Sequence, residues 1–124
     1  MELSISQMAS LHGLTRQTLI YYHKIGLFCP QAVKKNGNRV YSSAQIPVLR
    51  EICFLRKIGV PLKDIRRQLS QWNPKNATAL LEGRRREIEA DIAKRQELLQ
   101  GIENRLTLFR KGKNLSQEGS FTLE

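Results

Sequence analysis

The residues with the clearest chemical potential lie at the start of a short helix predicted near the N-terminus. Thr15 is a side-chain acceptor that can cap this helix, which leaves Arg16 and Gln17 projecting from its first turn. Side chains at that place in a recognition helix can reach the base edges of DNA. Tyr21 and Tyr22 follow on the same helix. Because adjacent residues cannot share one helix face, we expect one ring in the core and the other hydroxyl at a phosphate.

A second group of polar residues surrounds a predicted β-hairpin. The dipeptide Asn36-Gly37 separates two short runs of strand character, which is the strongest hairpin pattern in the chain. Lys35 and Arg39 flank the turn, where their charges can meet phosphates or a minor groove, although such residues can also serve solubility alone. Tyr41 ends the second strand and is a further candidate for DNA contact, but an aromatic at a strand end often packs instead.

Four helical segments are needed to position these side chains. Apolar residues from Ser4 to Leu11 follow helical spacing, and with the helix after Thr15 they predict a helix-turn-helix. After the hairpin, a helix that Ser42 or Ser43 can cap runs through Lys57. A Gly-Val-Pro break then leads to a short basic helix that ends near Trp72.

Taken in order, these segments resemble the DNA-binding region of the MerR-type (mercury-resistance-regulator-like) transcription factors over about the first seventy residues. The motifs that carry the likeness are Thr18-Leu19-Ile20-Tyr21-Tyr22-His23, Gly26-Leu27, Gly37-Asn38-Arg39-Val40-Tyr41 and the segment from Leu55-Arg56 to Ile65. Two positions depart from the pattern: Ile20 replaces an arginine, and His23 replaces an acid. The resemblance implies a winged helix-turn-helix and a dimer that bends and untwists promoter DNA, which realigns the two elements that RNA polymerase contacts.

The resemblance also implies roles for two residues of the third helix. Arg56 matches a second-wing region that grips backbone phosphates, with a solvated surface as the alternative. Cys53 is a possible thiol sensor, because some members sense electrophiles through a cysteine on this helix. In those members the cysteine directly precedes the Leu-Arg pair, a place that Phe54 holds here. The displacement by one residue rotates the side chain by about 100° on the helix, so a buried and inert thiol is the favoured interpretation.

Size and charge agree with a nucleic-acid partner. The chain has 124 residues, a formal net charge of +10 and a pI near 10.1, and up to residue 73 it holds eleven Lys/Arg against three Asp/Glu. A basic surface binds polyanions through counterion release, whereas a chain this short leaves no room for a large catalytic domain. We expect no enzyme activity, cofactor, metal site or disulfide, and a place on the nucleoid in the bacterial cytoplasm.

A long helical pattern from about residue 76 to 111 predicts a rod of roughly 50 Å. Its heptad seam consists of Leu81, Arg85, Ile88, Ile92, Arg95, Leu99, Ile102, Leu106 and Phe109, and seven of these nine positions are apolar. Such a stripe needs a partner, and a second copy in an antiparallel coiled coil is the economical one. The expected domains are therefore 1–73 for DNA binding, 74–111 for dimerisation and 112–124 as a flexible tail.

Two functions follow from these features. The first is a homodimeric, sequence-specific regulator that binds a pseudo-palindromic promoter operator. The second is an architectural or interaction protein, with a basic head that binds DNA with little preference and a long helix that pairs with a different partner. The effector, the operator sequence and the direction of regulation are left open by the sequence.

Overall fold

A computed structural model describes residues 1–112 of the chain. Its elements, in chain order, are β1 (Glu2–Ser4), α1 (Ile5–Leu11), α2 (Arg16–Lys24), β2 (Ala32–Val33), β3 (Arg39–Ser42), a 3-10 turn (Ser43–Gln45), α3 (Ile46–Lys57), α4 (Leu62–Ser70) and α5 (Pro74–Arg110). The predicted class, mainly helical with a small hairpin wing and a long C-terminal helix, is confirmed. The tail expected from residue 112 onward lies outside the described residues, apart from Gly112 itself.

The two helices of the helix-turn-helix begin and end where their capping residues predict. Ser4 and Gln7 form a capping box at the start of α1, and Thr15 caps α2 by accepting a 3.1 Å hydrogen bond from the Thr18 backbone nitrogen. Between the helices, Gly13 has a φ of 65°, a conformation that favours glycine. Local chemistry therefore determines both helix boundaries.

The hairpin is part of a three-stranded antiparallel sheet in which β3 is the central strand. The predicted pairing of β2 with β3 is confirmed, with Ala32 opposite Val40. On its other side β3 pairs with β1, which places Leu3 opposite Tyr41. The pattern did not predict β1, because three residues carry little periodicity and the strand forms only by pairing with a segment distant in sequence.

The core of the N-terminal unit, Met1–Leu80, is built mainly from helices. Its fully buried large side chains are Met8, Leu19, Tyr41, Leu49, Ile52 and Ile65. Of the two serines predicted to cap the third helix, Ser42 caps the 3-10 turn that leads into it, by accepting a hydrogen bond from the Ala44 nitrogen. This core supports the helix-turn-helix and the wing together.

Helix α5 has 37 residues, which corresponds to roughly 55 Å, and none of its residues is buried. A second compact unit begins within it at Leu81. Apolar side chains along this unit are largely exposed; those at least two-fifths exposed are Leu81, Ile92, Leu98, Leu99, Ile102 and Phe109. Across residues 1–112, no helix is both long enough and apolar enough to cross a membrane.

Candidate nucleic-acid interface

An open groove of about 410 Å³ brings together the recognition helix and the wing. Arg16 contributes from the first turn of α2, and Lys34, Asn38 and Arg39 contribute from the hairpin. The remaining lining comes from the N-terminal segment and from Ile20, Gly37 and Val40. Three cations on two separate elements thus border one concave surface, which is suited to a polyanion.

The first turn of α2 presents its polar side chains to solvent. Thr15, Arg16 and Gln17 are all exposed, as expected for residues that would meet DNA. Thr15 has a structural duty as well, since its hydroxyl oxygen lies 2.9 Å from that of Thr18 and also caps the helix. Arg16 and Gln17 are therefore the side chains of this turn that are available for base contacts.

The two adjacent tyrosines of α2 have opposite environments. Tyr21 is 51% exposed, whereas Tyr22 is 5% exposed and lies on the same inward face as Leu19, three residues earlier. Burial raises the pKa of the Tyr22 hydroxyl, and the nearby Arg56 guanidinium opposes this effect. One ring therefore lies in the core and the other at the surface, as expected. The burial of Tyr22 argues against the prediction that this residue also contacts DNA.

The wing turn is held by hydrogen bonds among its own residues. The Lys34 nitrogen donates to the Asn38 carbonyl at 2.8 Å, and the Asn38 nitrogen donates to Oδ1 of Asn36 at 3.0 Å. Gly37 has a φ of 86°, which explains why glycine occupies this place. Lys35 is exposed at the turn.

Arg39, at the start of β3, is tied to the recognition helix. Its Nε donates a 3.0 Å hydrogen bond to Nδ1 of His23, near the end of α2. Sequence reasoning identified Arg39 as a wing cation and His23 as a departure from the family pattern, but it did not connect the two. Nothing local could have predicted their contact, because it depends on how β3 packs beside α2.

Tyr41 is a core residue. Its ring is fully buried and stacks on Phe28 with a centroid distance of 5.7 Å, and its hydroxyl is buried without a hydrogen-bond partner. Burial raises the pKa of this hydroxyl, an effect that the charge of Arg39 opposes. Burial of the ring and of the hydroxyl argues against the prediction that Tyr41 contacts DNA.

The structure gives the surroundings of Arg56 and Cys53, the two residues of α3 for which the sequence allowed two roles each. Arg56 is exposed in the last turn of the helix. Cys53 is half-buried, and burial raises the pKa of its thiol, which disfavours the reactive thiolate at neutral pH. Cys29, by contrast, is exposed. Within residues 1–112, no group of three or more His, Cys, Asp or Glu side chains could hold a metal ion.

Several residues that border the groove were not predicted from the sequence. Lys34 and Asn38 adjoin the predicted turn, and their position beside Lys35 and Arg39 was a usable indication. Ser6, from the first turn of α1, had no such indication, because it reaches the groove through the pairing of β1 with β3.

A helix-turn-helix whose second helix shares a basic groove with an arginine-bearing hairpin defines the class of winged helix-turn-helix nucleic-acid-binding domains. Residues 3–72 match the family described as MerR HTH family regulatory protein, and the chain belongs to this family. The description of a regulatory protein agrees with the expectation that the chain is not an enzyme.

Known relatives extend the likeness beyond the head. The HTH-type transcriptional activator TipA of Streptomyces coelicolor is 31% identical over 98% of this chain and 47% of its own length. The N-terminal part of the Bacillus subtilis multidrug transporter activator, MtaN, is 28% identical with a TM-score of 0.69, over 84% of this chain and 97% of that one. EcmrR, solved as an EcmrR-DNA complex in EcmrR-RPo, is 32% identical with a TM-score of 0.69, over 88% and 40%. The chain spans about half or less of the length of the curated relatives it matches.

Proposed function

We propose that the protein is a homodimeric, sequence-specific transcription regulator that binds promoter DNA and bends and untwists it. The observation that carries this proposal is the groove in which Arg16 of the recognition helix faces the wing cations Lys34 and Arg39. A single duplex can contact both sides of such a groove, with a base edge at one side and the backbone at the other.

The division of labour within the head follows from exposure. Arg16 and Gln17 are exposed at the start of α2, so they would read bases when this helix enters a major groove. Lys35, Arg39 and the half-exposed Tyr21 would contact phosphates, which positions the protein without selecting a sequence. The excess of cations up to residue 73 would add the electrostatic part of the affinity.

Helix α5 supports the dimer. It exposes Ile92, Leu99, Ile102 and Phe109, and an apolar stripe on a helix with no buried residue is costly in water. A second copy would offer the same stripe, and pairing would cover both. Ile88 and Leu106 extend the stripe at heptad spacing, together with Leu81. Two heads held in this way would meet two half-sites of one operator.

RNA polymerase at the promoter is part of this proposal, because one solved relative is named as a DNA complex in EcmrR-RPo. Distortion of the duplex would come from many backbone contacts acting together, which makes the deformability of the promoter part of what is recognised. Such a regulator would act in the bacterial cytoplasm, on the nucleoid. Residues 1–73 and 74–111 would then serve as DNA-binding head and dimerisation helix.

The DNA-binding part is tested by selecting bound fragments from genomic DNA and comparing the preferred fragment with random duplex at several salt concentrations. We expect a specificity ratio of at least about 10³. Arg16→Ala should reduce this ratio, whereas Arg110→Ala, which removes the same charge from an exposed site at the end of α5, should leave it unchanged. Equal binding to both duplexes would support the architectural alternative and defeat the proposal.

The dimer is tested by sedimentation. Ile92→Asp places a charge on the stripe and should convert the protein to monomers, whereas Gln96→Asp, at an exposed position off the heptad seam, should leave the dimer intact. The monomeric variant should bind a full symmetric operator much more weakly than the wild-type protein. A wild-type protein that sediments as a monomer and still occupies the full site would contradict this part.

A further inference from the structure

We propose that His23 is a positioning residue for the wing arginine Arg39 and that it makes the DNA discrimination of the protein dependent on pH. The proposal rests on the DNA-binding function above and adds to it a residue that lies outside the groove. Its basis is one side-chain contact between α2 and β3, in which Nε of Arg39 donates to Nδ1 of His23 at 3.0 Å.

The geometry leaves Arg39 both anchored and able to bind. A guanidinium has five N–H donors, and the contact with His23 uses only the one on Nε. The four donors on the terminal nitrogens stay available for a phosphate, which prefers this forked arrangement. Because Arg39 also borders the groove, a fixed Nε limits the directions in which the fork can meet DNA.

The contact requires a neutral imidazole. Arginine has no acceptor and keeps its proton, so Nδ1 of His23 must supply the lone pair and the ring proton must lie on Nε2. Once Nδ1 is protonated, both groups are donors and both are positively charged. The hydrogen bond is then lost, and Arg39 is released from its anchored direction.

No carboxylate replaces this contact in the part of the chain described here. The ion pairs there join Arg67 to Asp64, Arg84 to Glu87 and Arg85 to Glu89, so neither His23 nor Arg39 belongs to one. The carboxylate that borders the groove with Arg39 is that of Glu2, and these two residues form no ion pair.

Cations on three elements lie near this end of α2. Lys24 follows His23 on the same helix. From α4, the Arg66 guanidinium approaches Gly26, with a terminal nitrogen 3.7 Å from where a Cβ would stand. From α3, Arg56 is near enough to Tyr22 for its charge to oppose the raised pKa that burial gives that hydroxyl. A positive charge on His23 would therefore add to an already basic neighbourhood.

The residue type at this position then decides the response to pH. The MerR-type pattern has an acid here, and a carboxylate would hold its charge throughout the neutral range. An imidazole is the side chain whose charge changes between about pH 5 and 8. Acidification should also strengthen nonspecific DNA binding by adding charge, so the informative quantity is the ratio of operator affinity to random-duplex affinity.

Two variants distinguish the effect of the hydrogen-bond acceptor of His23 from the effect of its ring. In His23→Asn, the side-chain Oδ1 stands close to the place of Nδ1 and cannot be protonated in this range, whereas His23→Phe keeps a ring without an acceptor. At fixed salt, we expect the wild-type ratio to fall roughly three- to tenfold from pH 8 to pH 5.5, which is the range for loss of one ordinary hydrogen bond. The Asn variant should keep a high ratio at both pH values, and the Phe variant a low one at both.

A measurement without DNA distinguishes failure of this inference from failure of the proposed function. Exchange of the Arg39 Nε proton with water, followed by NMR, should be slower at pH 8 in the wild-type and Asn proteins than in the Phe protein. Thermal unfolding of all three proteins shows whether they are folded. Similar exchange in all three folded proteins would overturn the inference, even if the wild type binds a specific operator.

The DNA measurements complete the test. A Phe variant with the wild-type ratio at pH 8, or an Asn variant with the same acid-induced fall as the wild type, would also overturn the inference. A wild-type protein without any preferred sequence, but with the protected Nε proton, would instead defeat the proposed function and leave His23 as the anchor of Arg39.

Discussion

The rings of Phe28 and Tyr41 stack with their centroids 5.7 Å apart and their planes inclined by 9°. Both are buried, and they join the segment that follows α2 to the central strand β3. Since α2 begins with Arg16 and β3 begins with Arg39, this stack helps to hold the two sides of the groove together. The wing is thus supported by the core as well as by its own turn.

Replacing Tyr41 with phenylalanine should preserve or increase stability. The change keeps the stacked ring and removes a buried hydroxyl that has no hydrogen-bond partner. We expect the free energy of unfolding to be equal to that of the wild type or higher by about 1–2 kcal/mol, measured by urea denaturation at pH 7. Tyr41→Ala provides the contrast, because it leaves a cavity and should cost about 3–5 kcal/mol.

Tyr41→Phe should also change how stability depends on pH in the alkaline range. Burial raises the pKa of Tyr41 in the folded protein, with Arg39 opposing, so the folded state favours the protonated hydroxyl. That contribution is complete below the unfolded pKa of about 10 and is lost as the pH rises through the folded value. The advantage of the Phe variant over the wild type should therefore grow above about pH 10. A difference in the free energy of unfolding that becomes smaller above about pH 10 would contradict the buried environment of the Tyr41 hydroxyl.

Substitutions of the two adjacent tyrosines should have different consequences. Tyr21→Phe removes an exposed hydroxyl and should weaken DNA binding roughly three- to tenfold without changing the melting temperature. Tyr22→Ala removes a buried ring and should lower the free energy of unfolding by about 3–5 kcal/mol. Calorimetry and a DNA titration on each variant check both expectations. A Tyr21→Phe protein with unaltered DNA affinity would exclude its hydroxyl as a phosphate donor.

The wing cation Lys35 should contribute affinity without sequence preference. In Lys35→Ala, binding to operator and to random duplex should weaken by similar factors, and the slope of log K against log salt should decrease by about 1. Lys111→Ala removes an equal charge from an exposed position beyond α5 and serves as the control. Equal salt slopes for Lys35→Ala and the wild type would show that Lys35 does not reach a phosphate.

The two cysteines should react at different rates. In the folded protein at pH 7.5, a thiol reagent should modify exposed Cys29 at least about tenfold faster than Cys53, because burial raises the pKa of the Cys53 thiol. Cys29→Ser and Cys53→Ser each leave one thiol and allow the rates to be assigned. A fast Cys53 would favour a thiol sensor, as would a transcriptional response to aldehydes or oxidants that disappears in Cys53→Ser.

Much of the fold could be predicted because its boundaries are chemical and local. Thr15 as a cap, the glycine after α1 and the Asn36-Gly37 turn act over a few residues, and each occupies its expected place. The strand β1 and the groove side chain of Ser6 escaped prediction, because they depend on pairing with β3 across a long stretch of chain.

Capping, charge and heptad periodicity are properties of neighbours along the chain, so the helix start, the wing cations and the apolar stripe could be predicted without a fold. The exposure of Tyr21, the burial of Tyr22 and Tyr41, and the contact of His23 with Arg39 arise from tertiary packing. Burial and side-chain hydrogen bonds are set by how distant segments pack, and spacing along one element leaves that packing undefined.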